Sequence, residues 1–231
     1  MISAKNISLS FNKHEILKNL NFSIEKGEIV AIIGASGAGK SSIFKMLIGE
    51  LRPTLGSISI NNIKLESLSF KGLQDYRKQI GVVFQEFHLL PTKTVYENIA
   101  YALEVSEKEE EIAIKVPKLI ELVGLKNRSE SFPNQLSGGE KQRVSIARAL
   151  IHDPKIIIAD EATGNLDPKN SREIANLFQK IQKENDLTLI FSTHDPVLVG
   201  QLTPRVIRLE NKKIKFDKDN CSVEEAFSGI V

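Results

Sequence analysis

The sequence predicts an α/β fold: a parallel sheet covered on both faces, an antiparallel β region on its N-terminal side, and a helical subdomain inserted into it. Three observations predict it. Ile29–Ile33, Ile156–Ala159 and Leu187–Phe191 are almost continuous apolar runs, the pattern of strands buried on both faces. Near the N-terminus the pattern changes to alternation. Between about 86 and 145 it becomes mostly helical, with no further central strand.

Taken in order, Ile7, Leu9 and Phe11 alternate, then Leu20, Phe22 and Ile24, and Ser57–Asn61 repeats the pattern. These read as strands with one buried and one wetter face. Ile29–Ile33 follows, then a helix over 42–49 and a strand at Val82–Phe84. Ile112, Val116, Leu119, Ile120 and Val123 predict a helix ending at Gly124, although Pro117 interrupts it and leaves its continuity open. Ile174, Leu177, Phe178 and Ile181 share one helix face, and Asp167 before Pro168 supplies a cap and a first-turn proline for that helix. Val206, Ile207 and Leu209 suggest one more strand, and Lys212–Lys213 reads either as a turn or as a solvated face. The expected organisation is one domain over 1–231, with 86–145 as a subdomain within it.

Composition bounds the function. The 231 residues carry 31 Lys and Arg against 29 Asp and Glu, so no general attraction to nucleic acid is expected and no direct nucleic-acid target is assigned. One cysteine, Cys221, makes no internal disulfide and no cysteine metal cluster, and a packing or incidental role rather than a catalytic one is expected for it. No run approaches the roughly 20 apolar residues of a bilayer span.

The strongest chemical signal is Gly34, Ala35, Ser36, Gly37, Ala38, Gly39, Lys40, Ser41, placed between an apolar strand and a helix that Ser42 enters. Glycines let backbone amides turn inward on phosphate oxygens, the helix N-terminus adds its dipole, Lys40 adds a point charge and Ser41 a magnesium ligand. The second signal is Asp160–Glu161 at the end of an apolar strand. There Asp160 suits magnesium through water, and Glu161 suits activation of a water beside the last phosphate. ATP and Mg2+ are the implied ligands.

With Leu136–Ser137–Gly138–Gly139–Glu140 and the following Lys141–Gln142–Arg143 placed between those two motifs, the chain resembles the ATP-binding subunits of ABC transporter-type ATPases over approximately residues 2–216. The resemblance implies a P-loop NTPase core of the ABC ATPase type and ATP hydrolysis. It also implies a second copy of the chain, with Ser137, Gly138 and Gly139 of one copy meeting ATP held by the other. Gln85 matches the loop that senses magnesium and water, His194 the residue contacting the terminal phosphate, and Asn165–Leu166–Asp167 the loop that communicates across the dimer. Phe11 matches the aromatic that stacks on adenine, and its place in the buried alternation gives it a packing role as the other reading. Ala162 stands where the family often has proline, and no phosphate or metal group is lost by that change.

Within the family, Phe84–Pro91, Thr94–Ala100 and Ser131–Leu136 are similar to the FtsE-type cell-division subfamily. Ala159–Pro168 fits the wider group that also holds lipoprotein-release and macrolide-export ATPases. That resemblance implies an FtsX-like integral membrane subunit as partner and a peripheral position on the cytoplasmic face of a bacterial inner or plasma membrane. An export or lipoprotein-release complex is the alternative. Phe87, Leu89 and Leu90 fit either a partner groove or internal core.

Overall fold

The computed structural model describes residues 1–12, 14–104 and 109–230; positions 105–108 of the expected subdomain lie outside that set. The strands are β1 (Ile2–Phe11), β2 (His14–Ile24), β3 (Ile29–Ile33), β4 (Leu55–Ile60), β5 (Ile63–Lys64), β6 (Ile80–Val83), β7 (Ile156–Asp160), β8 (Thr188–Ser192), β9 (Arg205–Glu210) and β10 (Lys213–Lys218). The helices are α1 (Lys40–Leu47), α2 (Phe70–Arg77), α3 (Val95–Glu104), α4 (Glu109–Leu122), α5 (Gly138–Leu150), α6 (Pro168–Asn185), α7 (Pro196–Leu202) and α8 (Val223–Phe227).

They form two sheets. An antiparallel sheet has the order β2-β1-β4-β5, and a six-stranded sheet has the order β10-β9-β3-β8-β7-β6. In the larger one, β9, β3, β8, β7 and β6 are parallel, and only β10 runs back as a hairpin on β9. The two sheets touch where the Lys18 N–H donates to the Lys212 carbonyl at 2.8 Å.

The continuous apolar runs have a direct cause. Ala31, Ile33, Ile157, Ala159, Leu189 and Phe191 enter a core shared with α3 to α7. Val30, Ile32, Ile156, Ile158 and Ile190 enter a second core with α1 and the antiparallel sheet. Successive residues of a strand point to opposite faces, and here both faces are covered.

Four local expectations are sharpened. The buried alternation of β1 stops after Leu9, because the β1–β2 register shifts between Leu9 and Ser10, and Phe11 is left 47% exposed at the hairpin. The helix expected from Ser42 starts at Lys40 and ends at Leu47. Helix α4 runs through Pro117. Proline leaves the carbonyl four residues back without its donor, but Ala113 and Pro117 are both exposed, so water can serve that carbonyl. Asn211 and Lys212 both have positive φ, so the turn lies there and Lys213 already belongs to β10.

The segment between β6 and α3 is stapled from inside. Asn98 is fully buried; its Oδ1 accepts the Leu90 N–H and its Nδ2 donates to the carbonyls of Leu90, Lys93 and Thr94. Arg148 of α5 donates to the carbonyls of His88 and Phe87 at 2.6 and 2.9 Å. Phe87, Leu89 and Leu90 are half-buried, with Leu89 packed on the core. Cys221 is also half-buried, and burial, followed by the nearby Glu225 carboxylate, pushes its thiol up from the ordinary range.

Helix α5 lies so close to β6 that a Cβ on Gly81 would run into the Ala149 carbonyl. Gly81→Ala is expected to cost about 2 kcal/mol through this overlap and to lower the melting midpoint by roughly 4–8 °C. Calorimetry showing an unchanged midpoint would contradict that packing.

Candidate functional site

The site begins where β3 stops. Beyond Ile33 the chain turns through residues 34–39 into α1, and Gly37 and Gly39 take φ of 76° and 100°. Gly39 is doubly required: its φ is left-handed, and a Cβ there would lie 2.5 Å from Leu17 Cδ2. Lys40, the first residue of α1, folds back so that Nζ donates to the carbonyls of Gly34 at 2.8 Å and Ala35 at 3.2 Å. Only 6% of this residue is exposed. Burial holds its ammonium below the ordinary lysine range, while the carboxylates of Glu161 and Asp160 pull it back up.

Glu161 and His194 arrive from the neighbouring strands. Glu161 Oε1 is 3.9 Å from Lys40 Nζ and 3.1 Å from His194 Nε2, and the same Nε2 is 3.3 Å from Lys40 Nζ. The imidazole nitrogen therefore faces a donor and an acceptor together. The ring tautomer decides whether this nitrogen donates to Glu161 or accepts from Lys40. Glu161 has φ of 49°, an unusual conformation for a side chain of this size, costing about 1–3 kcal/mol. Its N–H turns back to the Ser192 carbonyl at 3.2 Å and the Ser192 hydroxyl at 3.1 Å, which holds the turn.

Together these groups border a cleft of about 330 Å3 lined by Ser36, Gly37, Gly39, Lys40, Ser41, Ser42, Glu161 and Ile16. Glycine amides, a helix N-terminus and a buried ammonium suit a polyphosphate. Among the described residues there is no cluster of three metal-ligating side chains. Magnesium on a nucleotide takes most of its oxygens from phosphate and water and needs one or two from protein. Ser41, in the cleft lining, and Asp160, whose carboxylate acts on the Lys40 ammonium, carry oxygens of that kind.

Other expected residues lie apart from the cleft lining. Phe11 is exposed at the β1–β2 hairpin. Ile16, a residue the motif reading did not select, lines the cleft from β2. Gln85 is exposed beside Gly164, where a Cβ would sit 3.3 Å from Gln85 Nε2. Ser137 caps α5: its hydroxyl accepts the Glu140 N–H at 3.3 Å, and Glu140 accepts the Ser137 N–H at 2.8 Å. That backbone hydrogen bond, with the Ser137 hydroxyl and Arg128 beside it, lowers the Glu140 carboxyl below its ordinary range. Gly138 packs on Leu166, and a Cβ on Gly139 would run into the side chain of Asn170, so the 137–139 turn rests on the start of α6. Asp167 caps that helix through the N–H groups of Lys169 and Asn170, and the Asn170 bonds lower its carboxyl. Asn170 and Ser192 had no motif to signal them; Ser192 stands only two residues before His194.

A glycine loop joining a parallel strand to a helix, an acid pair at the end of a neighbouring strand and a capped Ser-Gly-Gly helix start define an ATP-binding cassette. The chain belongs to the ABC transporter family, whose profile matches residues 17–164, and its enzymatic class is ATP hydrolase. It is 46% identical over 203 residues to the cell division ATP-binding protein FtsE of Streptococcus pneumoniae, covering 87% of this chain and 88% of that protein. It is 42% identical over 219 residues to the methionine import ATP-binding protein MetN 2 of Bacillus cereus, covering 93% of this chain but only 65% of that longer protein. The dimeric structure of a post-hydrolysis state of the cassette MJ0796, bound to ADP and Pi, superposes with a TM-score of 0.84 at 34% identity, covering 95% of this chain and 98% of that one.

Lys40→Ala removes a charge-assisted contact to phosphate worth about 1.5–3 kcal/mol, and ATP affinity is expected to fall by about 10- to 100-fold. Titration with a fluorescent ATP analogue checks this, and an unchanged affinity would exclude the cleft as the phosphate site.

Proposed function

We propose that the protein is the ATP-hydrolysing subunit of a two-copy assembly that couples nucleotide-driven closure to an FtsX-like integral membrane subunit in bacterial cell division. One observation carries the hydrolytic part: Glu161 stands at the phosphate cleft with its carboxylate 3.1 Å from His194 Nε2 and 3.9 Å from Lys40 Nζ. A carboxylate so placed can take the proton of a water attacking the terminal phosphate. The amides of the 34–39 loop and Lys40 hold the phosphate oxygens, and His194 orients Glu161 and the terminal phosphate. Ser41 and Asp160 would hold magnesium, and Gln85 would face it, as the family resemblance implies. Bound magnesium supplies charge neutralisation at the phosphate oxygens. Phe11, exposed at its hairpin, offers its ring to adenine.

The second copy completes the site in this reading. Ser137 is exposed at the start of α5, where helix-end amides favour an anion, and the dimeric MJ0796 cassette supports the pairing. The helical subdomain over 86–145 carries that turn and the half-buried Phe87, Leu89 and Leu90, which can add area against a membrane partner. Among the described residues no helix is long and apolar enough to cross a membrane. A peripheral place at the cytoplasmic membrane face through a partner is therefore part of the proposal.

The cell-division reading is supported by the match to FtsE over nearly the whole of both chains. A methionine-import role is the second reading, supported by 42% identity to MetN 2, although this chain spans 65% of that protein. Glu161→Gln is expected to lower phosphate release at least 100-fold, to retain ATP binding, and to accumulate a dimer with ATP and Mg2+ on a sizing column. Wild-type turnover would remove Glu161 from the mechanism. With that variant as bait on solubilised membranes, mass spectrometry is expected to recover an FtsX-like subunit. Recovery of an import or export subunit would overturn the cell-division assignment.

A further inference from the structure

Strands β7 and β8 pair in a register that sets Asp160 directly opposite Ser192. Ser192 has no exposed surface. A hydroxyl buried at the end of a largely apolar strand costs free energy unless its hydrogen-bonding capacity is used. Here it is used on both sides: Oγ donates to Asp160 Oδ1 at 2.5 Å and accepts the Glu161 N–H at 3.1 Å. A serine hydroxyl has a single proton to give, and it is spent on the carboxylate. Among the described residues, Asp160 Oδ2 has no protein hydrogen-bond partner. One side-chain oxygen thus ties together the acid that suits the metal and the backbone turn that aims Glu161.

We propose that Ser192 is a positioning residue for magnesium-dependent hydrolysis, its hydroxyl fixing the Asp160 carboxylate so that the second oxygen stays available to the metal shell. The inference rests on Asp160 being a magnesium-holding residue, as proposed above. An alanine at 192 fills nearly the same space, but it leaves Asp160 without this restraint and Glu161 N–H with the Ser192-position carbonyl alone. Hydrogen-bond partners that orient a metal-binding side chain are typically worth 10- to 100-fold in metal affinity.

The test uses Mg2+ itself in the Glu161→Gln background, where turnover is suppressed, and reads ATP affinity by calorimetry as Mg2+ is raised. Ser192→Ala is expected to raise the half-effective Mg2+ concentration about tenfold, with ATP affinity in EDTA unchanged. Ser192→Thr keeps the hydroxyl and is expected to restore the wild-type Mg2+ dependence to within about twofold. An unshifted Ser192→Ala curve overturns the proposal, and so does an equal shift in both variants, which assigns the effect to packing. Asp160→Asn separates the two levels: if it shifts the curve while Ser192→Ala does not, only the role of Ser192 falls. If neither shifts it, the metal reading of Asp160 falls as well.

Discussion

Everything chemical in this protein depends on the parallel, in-register pairing of β3, β8 and β7, whose carboxyl ends lie side by side. Parallel neighbours need long crossover connections, so the phosphate loop, the Asp160–Glu161 turn and His194 come from distant parts of the chain and meet at the carboxyl end of the sheet. The register admits no slip. Moving β8 by one residue against β7 would exchange Phe191 with Ser192 opposite Asp160 and turn the hydroxyl to the other face. Burial of both strand faces, in two separate cores, makes such a slip costly.

Against that frame the electrostatics are concentrated on one buried cation. Lys40 is turned inward onto two carbonyls of its own loop, and its carboxylate neighbours offset part of the desolvation its ammonium incurs. Glu161 reaches that group only because its backbone adopts a left-handed turn. The strain of the turn is borne by hydrogen bonds to Ser192, so the stability of β8 and the aim of the Glu161 carboxylate are linked through the same residue.

A second linkage runs through α5. Its first turn presents Ser137–Gly139, its last turns pack on β6 at Gly81, and Arg148 grips the loop that follows β6. The Ser-Gly-Gly turn also rests on Leu166 and Asn170, just beyond Glu161. One helix therefore connects the loop after β6, the Ser137–Gly139 turn and the segment leaving the acid pair. Asn98 is the buried pin that gives this loop its shape.

The sequence by itself determined the elements whose physics is local or strictly periodic. The central strands were legible because burial on both faces demands unbroken apolar runs, and α6 because Asp167 and Pro168 mark its start. The phosphate loop was legible because a tight turn of inward-facing amides requires glycine at Gly37 and Gly39, and the acid pair because it ends an apolar strand in a chain that also carries that loop. Tertiary structure decided what depends on neighbours distant in sequence. It exposed Phe11 through a register shift, carried α4 through Pro117 by facing the freed carbonyl to water, and brought Ile16 to the cleft. It also gave Ser192 its two partners. A serine in an apolar strand carries no signal of its own; only the pairing of β7 with β8 shows that its hydroxyl lies between a carboxylate and a strained turn.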